Sequence, residues 1–144
     1  MQMKIKKMRP SAVLPKYQTE FAAGFDFHAA IDEPQVIKPG KSLAIPTGLA
    51  VEIPVGYELQ IRSRSGLAYK NDVSMINGVG TIDSDFRGEM NVKLFNFGEA
   101  DFVVEPNMRI AQGVVAKCEH IEWQEVDQLS ETARGDGGFG STGR

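Results

Sequence analysis

The chain has 144 residues, 42% of them hydrophobic and 24% charged, which fits one domain of ordinary size with a real core. A formal net charge of -3 argues against a general binder of nucleic acid or of anionic membranes, because such binding relies on a basic surface. A single cysteine, Cys118, excludes an intrachain disulfide and argues against a cysteine-built zinc site.

From the N-terminus, Met1 to Lys7 is basic, yet the apolar run of a signal peptide does not follow. No segment approaches the roughly 20 apolar residues of a membrane span. A cytoplasmic location is expected, or a nuclear one in a eukaryote, with no membrane partner. Met3 and Ile5 alternate with lysines as in a half-buried strand. Phe25 and Phe27 alternate with Asp26 and His28, which puts the acid and the imidazole on the face away from the rings. Short apolar runs follow at Val36-Ile37, Leu43 to Ile45, Leu49 to Ile53 and Tyr57 to Ile61. They are divided by Pro39-Gly40, Pro46-Thr47-Gly48 and Pro54-Val55-Gly56. Leu67 to Asn71 reads as one short helix with Ser65 as its N-cap. Further strands are expected at Val79 to Asp83, Met90 to Asn96, Phe102 to Glu105 and Arg109 to Val115. Many short strands between Gly/Pro turns predict an all-β sandwich or barrel. It is followed by a glycine-rich tail: residues 1–130 form the domain and 131–144 a flexible arm.

Several segments carry groups suited to chemistry. Asp26 is a carboxylate of the kind that suits Mg²⁺, although a lone aspartate is more often structural or exposed. In Arg62-Ser63-Arg64-Ser65-Gly66-Leu67, a helix beginning after Ser65 points free amides at an incoming anion. Gly66 permits close approach there, and Arg64 adds charge. The same residues also describe a capped surface helix with an incidental arginine. Asn77-Gly78-Val79-Gly80-Thr81-Ile82-Asp83-Ser84-Asp85-Phe86-Arg87-Gly88-Glu89 is denser. Its glycines allow a tight hairpin, the Asn77 amide is able to read a base edge, and in a strand Asp83 and Asp85 share one face. A carboxylate beside a bound phosphate takes a proton from water if it lies within reach, although the same stretch also describes a turn with solvated acids. Gln112 is a donor either to a phosphate or to backbone. In the tail, Arg134 and Phe139 offer a guanidinium and a ring on a pliant backbone, which suits a nucleotide ligand and equally describes a disordered glycine-rich end.

Taken in order, these segments resemble the five motifs of the trimeric dUTPase family. They run through Ala23 to Ala29, Arg64 to Ala68, Asn77 to Glu89, Pro106 to Gln112 and Arg134 to Gly143. The resemblance covers nearly the whole chain. It implies a distorted jelly-roll barrel that assembles as a homotrimer with active sites shared between subunits. It further implies that Asp26 holds Mg²⁺ through water, and that Arg64, Ser65, Gly66 and Gln112 bind phosphates. Asn77, Gly80, Thr81 and Ile82 would take uracil and deoxyribose, with Asn91 making at most a backbone contact. Asp83 would orient and deprotonate the attacking water. Arg134 would grip the terminal phosphate, Phe139 would stack on uracil, and Gly140 and Ser141 would add contacts as the arm closes.

The implied activity is hydrolysis of dUTP to dUMP and pyrophosphate, which keeps dUTP low and supplies dUMP for thymidylate synthesis. Phe86 stands where the family usually has tyrosine beneath the deoxyribose. The ring that rejects a 2′-hydroxyl survives, but the phenol does not. Ser63 replaces a frequent proline, and Asn107-Met108 replaces a Gly-acidic pair before Arg109, which puts that turn in question. Two alternatives remain at this level: a dCTP deaminase of the same superfamily, and an interaction protein controlled by dUTP.

Overall fold

Alternating residues become strands wherever the Gly/Pro turns leave room for them. In chain order these are β1 (Lys4–Lys7), β2 (Lys16–Tyr17), β3 (Phe25–His28), β4 (Gln35–Ile37), β5 (Ser42–Pro46), β6 (Leu49–Glu52) and β7 (Tyr57–Arg62). After α1 (Ser65–Asn71) come β8 (Val73–Met75), β9 (Val79–Ile82), β10 (Asn91–Asn96), β11 (Phe102–Val104) and β12 (Arg109–Lys117). The structure, a computed structural model, describes residues 1–138, 140 and 141.

All pairings are antiparallel. One sheet runs β2-β3-β12-β7-β9 and a second β5-β10-β8, with β1-β6 and β11-β4 as two-stranded pieces. Most neighbours are distant in sequence, so the pieces close on one another as an all-β barrel of the jelly-roll type, around a core that includes Phe27, Ile45, Leu49, Leu59, Leu94 and Ile110. Buried polar groups are satisfied locally. The Asn96 amide donates to the carbonyls of Ile37 and Ala100 at 2.8 Å each and accepts from the Gly98 amide at 2.9 Å. Among the described residues, no helix is long and apolar enough to cross a membrane.

Three local expectations are corrected, and two strands are not expected from the sequence at all. β2 and β8 are two and three residues long, too short to show a period, and the sequence gives no sign of them. Ser65 is the first residue of α1 rather than its cap; Arg64 holds the cap position and makes no side-chain cap bond. β8 pairs with β10 while β9 pairs with β7, so the turn through Asn77 carries the chain between two sheets and is not a hairpin. β9 stops at Ile82, and Asp83 to Asp85 form a turn in which the Phe86 amide donates to the Asp83 carbonyl at 3.2 Å. The turn before Arg109 survives its unusual sequence because Asn107 takes the left-handed conformation, φ 62°, that asparagine tolerates.

Beyond β12, residues 118–138 form neither helix nor strand, and Ile121, Trp123 and Leu129 stand exposed. At the other end of the chain, the turn before β6 depends on Gly48. Its φ is +69°, and a Cβ there would lie 2.7 Å from the Ala12 Cβ and 2.9 Å from the Ala30 Cβ. Gly48→Ala therefore combines a left-handed alanine with overpacking, and should lower the unfolding free energy by about 3 kcal/mol. Urea titration checks this, and an unchanged midpoint would contradict it.

Candidate active site

The placement of β12 between β3 and β7 gathers one set of polar residues. Gln112 lies opposite Asp26 on one side and Arg62 on the other. Asp26 is buried, and its two oxygens meet two guanidiniums: Oδ1 is 3.2 Å from Arg64 Nε, and Oδ2 is 3.1 Å from Arg109 Nη1. Arg64 Nη1 also donates to the Arg109 carbonyl at 2.7 Å. The Gln112 amide donates to the Ser63 carbonyl at 3.0 Å, in space that exists only because Gly24 has no side chain; a Cβ there would sit 2.7 Å from Gln112 Oε1. Ser65 and Gly66 are exposed at the start of α1, ahead of the Leu67 and Ala68 amides that bond to the Arg64 carbonyl. His28 completes the group. Burial pushes its imidazole below the ordinary value; Asp26 opposes that shift, while Arg109 and Arg64 reinforce it. Its Nδ1 is buried without a hydrogen-bond partner among the described residues.

A second set surrounds a cleft of about 270 Å³ lined by Thr81, Ile82, Asp83, Phe86, Glu89, Met90 and Asn91. Asp83 is exposed, and among the described residues its carboxylate makes no ion pair or hydrogen bond. The Phe86 ring lies across Gly88, where a Cβ would be 2.6 Å from Phe86 Cζ. Arg87 Nη1 ties the turn down by donating to the carbonyls of Ser84 at 2.7 Å and Phe86 at 2.9 Å. Asn91 donates to the Glu89 carbonyl at 3.1 Å, and the exposed Asn77 packs its amide over Gly80.

These two sets are not adjacent within one chain. Ile82 pairs with Leu59, so Asp83 continues the ladder toward Glu58, while Arg64 lies six residues further along at the opposite end of β7. At roughly 3.3 Å per extended residue the gap is about 20 Å. The tail does not bridge it. Arg134 Nε donates to the Gly137 carbonyl at 2.8 Å, the Ser141 amide donates to the Gly138 carbonyl at 3.0 Å with Gly140 between them, and the hydrogen bonds found from residue 132 to 141 stay within that segment. Phe139 lies outside the described residues.

A family model described as dUTPase matches residues 11–143. The chain is 53% identical over 143 residues to the deoxyuridine 5'-triphosphate nucleotidohydrolase of Rickettsia felis, covering 99% of this chain and 97% of that protein. The chain belongs to the dUTPase family. It is also 54% identical over 138 residues to the protein of the same name from Chlamydia trachomatis, with 95% of each chain covered. Among solved structures, that of Staphylococcus bacteriophage 80alpha dUTPase with dUPNHPP superposes with a TM-score of 0.91 at 26% identity, covering 99% of both chains. One solved phage phi11 dUTPase, with a TM-score of 0.82 at 21% identity over 90% of this chain and 99% of that one, is described as coordinating a structural Mg(II) ion.

In this dUTPase chain the donor set for magnesium is narrow. Among the described residues no three His, Cys, Asp or Glu side chains converge to hold a metal. A carboxylate has about four lone-pair positions, and the two arginines engage both Asp26 oxygens, so what remains suits a bridging water better than a direct bond. The residues thus fit an ion that Asp26 would hold through water rather than by a direct bond. Arg109 and Glu89 join the two sets although no role fell to them in the sequence reading. Only the strand register brings Arg109 to Asp26, and register is not visible in one sequence. The contrast between the two acids is measurable. Asp26→Asn should cost about 2 kcal/mol of stability by stripping two guanidiniums of their anion. Asp83→Asn should stay within about 0.5 kcal/mol of the parent. Equal losses in urea titrations would contradict the assignment of Asp26 as the paired acid.

Proposed function

We propose that this chain hydrolyses dUTP to dUMP and pyrophosphate, with Asp83 as the general base, in sites shared between the subunits of a homotrimer. The observation that carries the reading is the free carboxylate of Asp83 at the edge of the cleft holding Phe86 and Asn91, about 20 Å along the extended β7 from the Arg64 cluster. One chain presents both halves of a site and cannot bring them together. A second copy resolves this by setting its own cationic cluster against the first copy's cleft. The exposed segment beyond β12, with Trp123 87% accessible, is long enough to carry the tail from residue 131 onward onto a neighbour.

Each half then has its own task. Arg64, the Ser65 hydroxyl, the Gly66 amide and Gln112 hold phosphate oxygens. Asp26 keeps Arg64 and Arg109 aimed, and would hold magnesium through water. When bound with the substrate, that ion supplies charge neutralisation on the triphosphate. Asn77 and the backbone of Gly80, Thr81 and Ile82 meet the uracil edge, and a wall of backbone leaves no room for the thymine methyl. Cytosine would leave buried donors and acceptors unpaired, which discriminates more strongly than a lost methyl contact. Phe86 lies beneath the deoxyribose and rejects a 2′-hydroxyl by bulk. Asp83 accepts a proton from water, and the water oxygen attacks the α-phosphorus. The bond to the bridging oxygen then breaks, and pyrophosphate leaves. Arg134 and Phe139, with Gly140 and Ser141, close over the bound nucleotide and expel solvent. A dCTP deaminase gains no support from the Rickettsia felis and Chlamydia trachomatis relatives, which both carry the dUTP hydrolase name.

Asp83→Asn removes the base and keeps the shape. Turnover should fall by at least about a thousandfold, while calorimetric affinity for a non-hydrolysable dUTP analogue stays within a few-fold of the parent. Near-normal pyrophosphate release would remove Asp83 from the mechanism.

A further inference from the structure

The cleft beside Asp83 contains a carboxylate that has no part in the scheme above. Glu89 lines it between Phe86 and Asn91, and its side chain is 20% exposed. Arg9 reaches it from far away in sequence and grips it with two prongs, Nε to Oε1 at 2.5 Å and Nη2 to Oε2 at 3.1 Å. Such a pair fixes direction as well as charge. Arg9 holds Glu89 below the usual carboxylate range, and the Gly48 amide acts in the same sense. The other acid acting on Arg9 is Asp32.

Both ends of the pair are fastened. On the Arg9 side, the Met8 amide donates to the Gly48 carbonyl at 2.7 Å and the Ala12 amide to the Arg9 carbonyl at 3.2 Å. On the Glu89 side, the Thr47 amide and hydroxyl donate to the Met90 carbonyl at 3.0 and 2.8 Å, and the Met90 amide donates to the Leu49 carbonyl at 2.9 Å. Gly88, one residue before Glu89, carries the Phe86 ring on its surface. The pair therefore joins the N-terminal turn to the wall of the cleft.

We propose that Arg9 is a positioning residue for the nucleotide: through its two-pronged bond to Glu89 it fixes the wall bearing Phe86 and Asn91, and it cancels a negative charge that would otherwise face an anionic substrate. The inference rests on the nucleotide reading of this cleft. Without Arg9, Glu89 keeps its charge on the wall of an open cleft and repels the triphosphate. Lysine at position 9 would restore the charge but not the fork.

The test is steady-state hydrolysis of dUTP by the parent, Arg9→Gln, Arg9→Lys, Glu89→Gln and the Arg9→Gln/Glu89→Gln double variant, with a urea midpoint for each. Arg9→Gln should raise KM about tenfold with kcat within about threefold, and Arg9→Lys should fall between it and the parent. Adding Glu89→Gln should recover part of the KM, because the stranded charge is gone while the fork is still missing. Added salt should narrow the Arg9→Gln defect. A pair that only supports the fold would give KM values that follow the urea midpoints, with the double variant no better than Arg9→Gln. That pattern, or an Arg9→Gln KM within about twofold of the parent, overturns the proposal. A parent that does not hydrolyse dUTP overturns the nucleotide reading and this inference with it, whereas a flat variant series on an active parent overturns this inference alone.

Discussion

The pairing of β9 with β7 is the constraint on which the rest depends. Antiparallel hydrogen bonds fix Ile82 against Leu59 and Val79 against Arg62. A strand cannot shorten, so Asp83 and Arg64 are held apart by the length of β7. Neither a side-chain rotation nor a loop adjustment closes a gap of about 20 Å between elements anchored in one five-stranded sheet. Each chain thus carries the Arg64 cluster and the Asp83 cleft at separate places, and the shared site proposed above needs a second copy to join them.

The two central carboxylates show how position decides chemistry. Asp26 points from β3 into the seam beside β12 and is bound by two guanidiniums, so its oxygens are committed before any ligand arrives. Asp83 comes just after the last residue of β9, in a turn pinned by Arg87, and its oxygens face open space. The first arrangement suits orientation of cations; the second suits taking a proton from water. The downward push on the His28 imidazole fits the same logic, since a third positive group beside Asp26 would compete with the two arginines.

Much of this was legible in the sequence. Alternation at Phe25 to His28 and the Gly/Pro turns after Pro39, Pro46 and Pro54 mark real strands and turns, because side-chain period and backbone stiffness act locally. The five motifs give the family because their order spans the chain. What stayed hidden is non-local. The link between Asp26 and Arg109 depends on the β3–β12 register, and that between Arg9 and Glu89 on a turn packed beneath Gly48. Serine favours the cap position, so Ser65 reads as a cap for a local reason; in the fold Arg64 takes that position while its side chain turns to Asp26. The turn at Asn77 looked like a hairpin because Asn-Gly commonly forms one, yet its two strands belong to different sheets.

The most direct test of the shared site is to mix two separately inactive chains, Asp83→Asn and Arg64→Ala, after unfolding and refolding them together. Random assembly of a site that takes Asp83 from one copy and Arg64 from another leaves roughly one site in four intact, so pyrophosphate release from dUTP should return to about a quarter of the parent rate. A co-refolded mixture as inactive as its two components would contradict a site built from more than one chain.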